Sequence, residues 1–251
     1  MQRLAASDHL KLQQWFLPER PGPLVWAHVV RTGRGRCLVD RWPNPRTVIA
    51  KVADNYSLRG DPAYLDEEPE SIAGFVDAPE EFLPVLRQLD PDLLAWERVV
   101  FQLDGDVCRP PETAAVLRRL TGADADAVAG LAEGISWISK TLGGPAGLTG
   151  SGLGWGALVG DELAAVAVPF FLGEHHEDIG VVTERAFRRQ GLSTACAAAL
   201  ITDIQARRRR PSWTTSPENK ASVGVARRLG FRQVRTDRLY LVRTPVPGPD
   251  D

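Results

Sequence analysis

A strand-like run that ends in a short basic loop, directly before a helix-forming stretch, constrains this 251-residue chain most. Residues 181–194 read Val-Val-Thr-Glu-Arg-Ala-Phe-Arg-Arg-Gln-Gly-Leu-Ser-Thr, and Ala195-Cys-Ala-Ala-Ala-Leu-Ile follows. A strand that leads into a helix N-terminus presents backbone N–H groups, which bind phosphate oxygens. The arginines add charge, and Gly191 lets the backbone approach a ligand closely. We therefore predict that this loop binds a phosphorylated cofactor.

The better-known phosphate-binding motifs do not fit this loop. No G-x-x-x-x-G-K-[ST] sequence occurs, which argues against a P-loop nucleotidase. The glycine-rich stretch 150–156 has the wrong spacing for G-x-G-x-x-G and reads as a flexible loop before a hairpin. What remains is R-x-x-G-x-S, from Arg188 to Ser193. It resembles the acetyl-CoA loop of the GNAT acetyltransferase superfamily, Q/R-x-x-G-x-G/A, and departs from it only at Ser193.

A second segment supports the same resemblance. GNAT proteins typically show a strand, then N-x-x-[AS], then a helix that ends in L-G-F. Here these features correspond to Asn219, Ser222 and the sequence Leu229-Gly-Phe. Asn219 suits a helix N-cap, and Gly230 suits the left-handed C-cap that ends a helix. The two segments stand in the expected order, separated by one helix and one strand.

The pattern of elements predicts an α/β fold with a mixed sheet. Turn formers and a Pro-Pro pair at 104–112 suggest a seam, so we expect an N-terminal domain at 1–110 and a C-terminal domain at 111–251. Over 113–243 the periodicity gives a β-α-β-β-β-α-β-α-β order, which is the GNAT order. A capping box at 121–124 starts its first helical region, which we expect to reach about Leu142.

The pattern of the first half predicts short strands followed by helices. Residues 24–30, 37–40 and 47–52 read as short antiparallel strands, with a hairpin turn at 31–36. Residues 79–89 and 91–100 read as helical. This layout resembles the degenerate N-terminal half of two-part GNAT proteins, in which only the second half keeps the cofactor loop. Such a half would shape the acceptor site.

The resemblance implies acetyl-CoA as co-substrate. Its pyrophosphate would lie on the loop amides at 189–194, and its pantetheine arm would run along the strand at 181–183. A backbone N–H of that strand would polarise the thioester carbonyl. Asn219 would lie near the pantetheine. The implied cofactor-binding residues are Val181, Val182, Thr183, Arg188, Arg189, Gln190, Gly191, Leu192, Ser193, Thr194 and Asn219.

Candidates for the catalytic base lie in the sequence Glu174-His-His-Glu-Asp, which ends at Asp178. Glu177 matches the position at which some GNAT histone acetyltransferases carry a glutamate base, and partial burial would raise its pKa. Successive strand residues point to opposite faces, so only one of Glu177 and Asp178 can face the site. His175 or His176 could serve instead. A solvated hairpin mouth without a catalytic role is the competing interpretation.

The general acid is a departure from the family pattern. The tyrosine that usually precedes L-G-F corresponds to Ala226 here. The thiolate could leave unassisted or take a proton from Ser222 or a water, or catalysis could be feeble.

Composition excludes several other functions. The net charge of −2 gives no broad electrostatic case for a nucleic acid or an anionic membrane, and the arginines at 207–210 suit a helix C-terminus. Three distant cysteines and the lack of a signal-like or membrane-spanning segment indicate a cytoplasmic protein. Neighbouring histidines without a further ligand motif argue against a metal. A monomer or a homodimer is expected.

The sequence therefore predicts an acetyl-CoA-dependent N-acetyltransferase. Its acceptor would be the primary amine of a small molecule or amino acid, which attacks the thioester directly. A non-catalytic acyl-CoA-binding or regulatory module is the main alternative, since Ala226 replaces the usual tyrosine.

Overall fold

Within residues 1–65, 72–110 and 112–248, which the computed structural model describes, the strands form one mixed sheet. The strands are β1 (Gln2–Arg3), β2 (Arg36–Val39), β3 (Thr47–Val52), β4 (Asn55–Gly60), β5 (Gly74–Asp77), β6 (Leu94–Gln102), β7 (Val116–Arg119), β8 (Trp155–Val159), β9 (Glu162–Leu172), β10 (His176–Thr183), β11 (Arg210–Thr215) and β12 (Arg232–Val242). Their spatial order is β1-β2-β3-β4-β5-β12-β6-β11-β10-β9-β8-β7.

The helices lie between these strands in the chain. The α-helices are α1 (Val25–Thr32), α2 (Leu83–Leu89), α3 (Ala125–Ala129), α4 (Gly144–Gly150), α5 (Leu192–Ala206) and α6 (Lys220–Arg228). The 3₁₀ segments are Ala6–Trp15, Pro62–Tyr64, Glu80–Phe82, Gly122–Asp124, Glu133–Leu142 and Arg185–Phe187. From β7 to β12 the order is the one predicted from the sequence.

Strands from the two halves of the chain alternate in the middle of the sheet, in the order β5-β12-β6-β11. Strand β6 precedes the predicted seam, yet it pairs antiparallel with β11 on one side and β12 on the other. Strand β12 in turn pairs with β5 of the first half. Among the described strands, parallel pairing occurs between β4 and β5 in the first half and between β10 and β11 in the second. The boundary at 110/111 stays a prediction, and Pro111 lies outside the described residues.

Three predictions for the first half are wrong. Residues 24–30 do not form a strand, because Val25, Trp26 and Val29 share the buried face of helix α1. The segment at 31–36 is therefore no hairpin turn: Gly33, at φ +68°, ends α1 with its N–H bonded to the Val29 carbonyl. Residues 91–100 are not helical either, since most of them belong to β6.

Helices and 3₁₀ segments cover both faces of the sheet in the second half. Helix α5 packs Cys196, Ala197, Ala198 and Ile201 on one face, in a cluster that includes Trp213. On the other face the predicted capping box at Thr121 is present, but the following region divides into α3 and the 3₁₀ segment Glu133–Leu142. Four apolar residues of this region, spaced three and four positions apart, all reach one core cluster: Val128, Leu131, Ile135 and Ile138.

A buried histidine joins the two halves. His28 of α1 is fully buried, and its Nδ1 accepts the Leu172 N–H at 3.1 Å. Its Nε2 therefore carries the proton and donates to the Thr141 carbonyl at 3.0 Å. Burial lowers the pKa of His28 to about 4, so the ring is neutral at neutral pH.

Candidate active site

The cavity opens where the two parallel strands of the second half separate. Strands β10 and β11 pair only from His176 to Ile179 and from Arg210 to Trp213. Beyond that point residues 180–183 of β10 still pair with β9 but no longer with β11. Their backbone groups on the β11 side face a cavity of about 1090 Å³. An extended chain that enters this gap can pair with β10 as a further strand would.

The predicted loop forms one end of this cavity. Gly191 adopts φ +77° as the N-cap of α5, a left-handed conformation that glycine takes without strain. The first amides of α5, at 192–194, have no acceptor within the helix, and the helix dipole adds positive potential there. Arg188 and Arg189 of the loop also line the cavity, as does Arg228 of α6. The arrangement is suited to a pyrophosphate.

The structure brings most of the predicted cofactor residues together. Ten of the eleven line the same cavity, on β10, in the loop, on α5 and at the start of α6. Gln190 is the exception: it is exposed and is not among the described residues that line the cavity.

Asn219 lies on the far side of the gap, as the N-cap of α6. Its side-chain oxygen accepts the Ser222 N–H at 2.9 Å, which is the cap predicted from the sequence. Ser222 also lines the cavity, and its hydroxyl accepts the Trp213 indole N–H at 2.9 Å. Because that bond uses a lone pair, the Ser222 proton remains available to an acceptor in the cavity.

Ala226 lies away from the cavity. It is fully buried in the core between α5 and α6 and lies next to Val225 and Leu229 in that cluster. A tyrosine at this position would have to displace core side chains. The packing of α6 therefore leaves no room for the usual tyrosine at position 226.

Glu177 does not reach the cavity. Its side chain is fully buried on the α5 face of β10, where its carboxylate accepts from Arg207 Nη2 at 2.6 Å. Arg207 follows the end of α5, so the pair fixes the helix C-terminus to the sheet. Glu177 is not among the described residues that line the cavity, and its predicted catalytic role gains no support from this placement.

Asp178 occupies the opposite face of β10 and lines the cavity. Its Oδ1 accepts the hydroxyls of Ser212 at 2.7 Å and Thr214 at 3.0 Å. Burial raises the pKa of Asp178 to about 6, against the opposing effects of these hydroxyls and of Arg98 and Arg235. A carboxylate with this pKa is ionised at neutral pH and can take a proton from an amine.

The two histidines before this strand have other positions. Glu19 accepts the backbone N–H groups of residues 174–176 at 2.7–2.8 Å, and His176 Nδ1 lies 3.3 Å from the same carboxylate. His176 is buried in this contact, whereas His175 is exposed. Neither is among the described residues that line the cavity. The polar cluster thus holds the β9–β10 turn to the first half.

The acceptor side of the cavity contains residues that sequence reasoning missed. Arg98 and Trp96 reach it from β6, and the remaining aromatic wall comes from both halves of the chain. This wall consists of Tyr56, Phe75, Trp137, Phe170 and Phe171. No motif marks these residues, because they lie on segments that are distant in the sequence: β4, β5, β6, β9 and the 3₁₀ segment Glu133–Leu142.

Across the described ranges, no group of three or more His, Cys, Asp and Glu side chains is placed to hold a metal ion. In the same part of the chain, no helix is long and apolar enough to cross a membrane.

Comparison with known proteins identifies similar sequences and folds. The family model described as GNAT acetyltransferase matches residues 111–240. A Streptomyces virginiae protein, described as an uncharacterized N-acetyltransferase in the mutA 5′ region, is 40% identical over 201 residues, which are 77% of this chain and 84% of that protein.

Solved structures resemble the whole chain at low sequence identity. A GCN5-related N-acetyltransferase-like protein from Streptococcus suis superposes with a TM-score of 0.74 at 17% identity, over 94% of this chain and 98% of that one. A GCN5-related N-acetyltransferase from Kribbella flavida gives 0.58 at 15% identity, over 98% of both chains. These likenesses concern the fold.

Proposed function

Since the chain belongs to the GNAT acetyltransferase family, we propose that it transfers an acetyl group from acetyl-CoA to the primary amine of a small molecule. The observation that carries this proposal is one continuous cavity with two chemically different ends. At one end are helix amides and arginines, and at the other a buried carboxylate among aromatic side chains.

The cofactor end fits CoA in three respects. The amides at 192–194, with Arg188 and Arg189, would bind the pyrophosphate. The unpaired edge of β10 at 180–183 would pair with the amides of the pantetheine arm. Asn219 and Ser222 would border that arm from α6. Acetyl-CoA supplies the activated acetyl group as a thioester.

The acceptor would approach from the face that carries Asp178. Its amine nitrogen forms the new C–N bond to the acetyl carbon, the C–S bond breaks, and CoA leaves as the thiolate. Asp178 takes the amine proton, the role that the sequence had suggested for Glu177. Ser222, which lines the cavity, would stabilise the leaving thiolate by a hydrogen bond from its hydroxyl. The half before residue 111 shapes the acceptor side through β6.

A non-catalytic CoA-binding module is the second candidate, and the buried Ala226 favours it. Both candidates would bind CoA at the cofactor end of the cavity. Only the enzyme would acetylate an acceptor at the other end. Both would operate in the cytoplasm, where CoA thioesters are available.

Calorimetry and a thiol-release assay test the proposal together. Titration of the full chain with acetyl-CoA should show one site, and added amines should then release CoA thiol in proportion to acylated product. Absence of binding to folded protein would refute the cofactor assignment. Binding without thiol release from a broad panel of amines would favour the non-catalytic module.

A further inference from the structure

Arg98 brings a cation from the first half of the chain to the acceptor side of the cavity. Its strand β6 pairs with β11 so that Val100 lies opposite Thr214. Arg98, two residues before Val100, therefore lies on the same face of the sheet as the Thr214 side chain. That side chain bonds Asp178, so Arg98 and Asp178 share one face, and both line the cavity.

The guanidinium of Arg98 is held in place but is not fully paired. Its carbon lies 3.9 Å from the centroid of the Trp96 ring, and Nη2 donates to the Thr214 carbonyl at 3.2 Å. Its Nε–H is buried and meets no acceptor among the described residues. Burial lowers the pKa of Arg98 to about 10, so the group remains charged at neutral pH. A buried cationic donor without a partner is costly unless a ligand satisfies it.

Other cations near the acceptor side are already neutralised. Lys140 Nζ lies 2.9 Å from the Asp54 carboxylate, and Arg59 pairs with Asp77 at 2.7 Å. Within the described ranges, Arg98 forms no ion pair of this kind. An anionic group of the acceptor would therefore find its strongest partner in Arg98.

The spacing between Arg98 and Asp178 suits a short ligand. Thr214 of β11 lies between them: its carbonyl accepts Arg98 Nη2 at 3.2 Å, and its hydroxyl donates to Asp178 at 3.0 Å. The amine and the carboxylate of an α-amino acid lie about 3 Å apart, so one such ligand can form hydrogen bonds to both groups across Thr214. The amine of such a ligand would face Asp178 while its carboxylate bonds Arg98.

Aromatic side chains line the same cavity as the two charged groups. Phe75 and Trp96 have ring centroids 5.9 Å apart, and Trp137 and Phe170 are 5.3 Å apart in an edge-to-face contact. All four line the cavity. Rings placed in this way favour a large apolar or aromatic ligand side chain.

We infer that the acceptor is a free α-amino acid with a large apolar or aromatic side chain, whose carboxylate binds Arg98 and whose amine faces Asp178. The inference rests on the proposed acetyl transfer and specifies its substrate class. The chemical step is the one given above: the amine forms the C–N bond, thiolate leaves, and Asp178 takes the proton. Arg98 binds the substrate without taking part in proton transfer.

Matched pairs of amines test this inference, because each pair differs only in the carboxylate. The pairs are phenylalanine with phenethylamine, tryptophan with tryptamine, and leucine with isoamylamine. For the wild type, kcat/KM should favour the amino acid of at least one pair by about 10- to 100-fold, the value of a charge-assisted hydrogen bond. In Arg98→Leu the ratio of the two kcat/KM values should fall to about one through a higher KM for the amino acid, because any change in the pKa of Asp178 affects both members of a pair alike. Arg98→Lys should fall between the two.

Acetyl-CoA affinity, measured by calorimetry, is the control and should be the same in the wild type and both variants. A wild type that uses the simple amines as well as the amino acids would overturn the substrate class, with acetyl transfer still intact. A preference that survives in Arg98→Leu would overturn the role of Arg98. Failure of acetyl transfer itself is a distinct result: no amine, with or without a carboxylate, would release thiol.

Discussion

Replacing Asp178 by asparagine removes the proposed base while keeping the shape of the side chain. An asparagine oxygen can still accept the hydroxyls that now lie 2.7 Å and 3.0 Å from the carboxylate. General-base catalysis typically contributes about 10²- to 10⁴-fold. We therefore expect kcat/KM for the best acceptor at pH 8 to fall by about 100-fold or more. A continuous thiol-release assay with acetyl-CoA measures this directly.

The pH profile carries a second signature of Asp178. Only the ionised carboxylate can take a proton, and burial raises its pKa to about 6. In the wild type, kcat/KM should therefore rise with pH through about 6. Asp178→Asn should lack this limb of the profile.

Asp178→Asn should raise the free energy of unfolding at pH 8, although it lowers the activity. The pKa of Asp178 in the folded state, about 6, lies above its ordinary value of 3.8. Protonation of Asp178 therefore stabilises the fold fully below pH 4, and this contribution is lost as the pH rises through 6. A shift of about two units corresponds to about 3 kcal/mol. Asp178→Asn should thus exceed the wild type in free energy of unfolding at pH 8 by up to about 3 kcal/mol, and the difference should vanish near pH 4. Urea unfolding measures both values.

Glu177→Gln is the matched control, since it changes the neighbouring carboxylate on the other face of β10. Loss of the buried pair with Arg207 should lower the free energy of unfolding by about 2 kcal/mol or more. Its kcat/KM should stay within about twofold of the wild type, because a residue outside the cavity removes no catalytic group. Equal turnover by Asp178→Asn and the wild type, or a large loss in Glu177→Gln alone, would refute the assignment of the base.

Three further predictions concern the loop, the buried histidine and the core alanine. Gly191→Val forces a β-branched residue to φ +77°, so the KM for acetyl-CoA should rise about tenfold or more with a smaller change in kcat; initial rates at varied acetyl-CoA check this. The pKa of His28 falls from 6.5 to about 4 on folding, so its contribution is present above pH 6.5 and is lost as the pH falls. Between pH 7 and pH 5 the wild type should therefore lose about 2 kcal/mol more than His28→Gln in urea unfolding. Ala226→Tyr should lower the free energy of unfolding by about 1–3 kcal/mol, because the site is fully packed, and should not raise kcat.

The cofactor end could be predicted from the sequence because its signals are local. The loop, the glycine before α5 and the Asn219 cap each depend on residues a few positions apart. Family membership and fold, which these motifs predicted, are confirmed by the comparisons. The individual cofactor contacts stay predictions.

The acceptor end could not be predicted because it depends on contacts between distant segments. Residues 91–100 read as helical, since a strand enclosed by β11 and β12 shows no simple alternation at its buried end. Without β6 in the sheet, Arg98 has no visible relation to Asp178. Alternation along β10 required one of Glu177 and Asp178 to face the site, but only the packing of α5 shows which one.

A crystal structure of the protein with bound CoA tests the central claim most directly. We predict that the pyrophosphate lies on the amides at 192–194 and that the pantetheine arm pairs with residues 180–183 of β10. The sulfur should then lie between Asp178 and Ser222, at the junction of the two ends of the cavity. A CoA molecule bound elsewhere, or one whose sulfur points away from Asp178, would contradict the account.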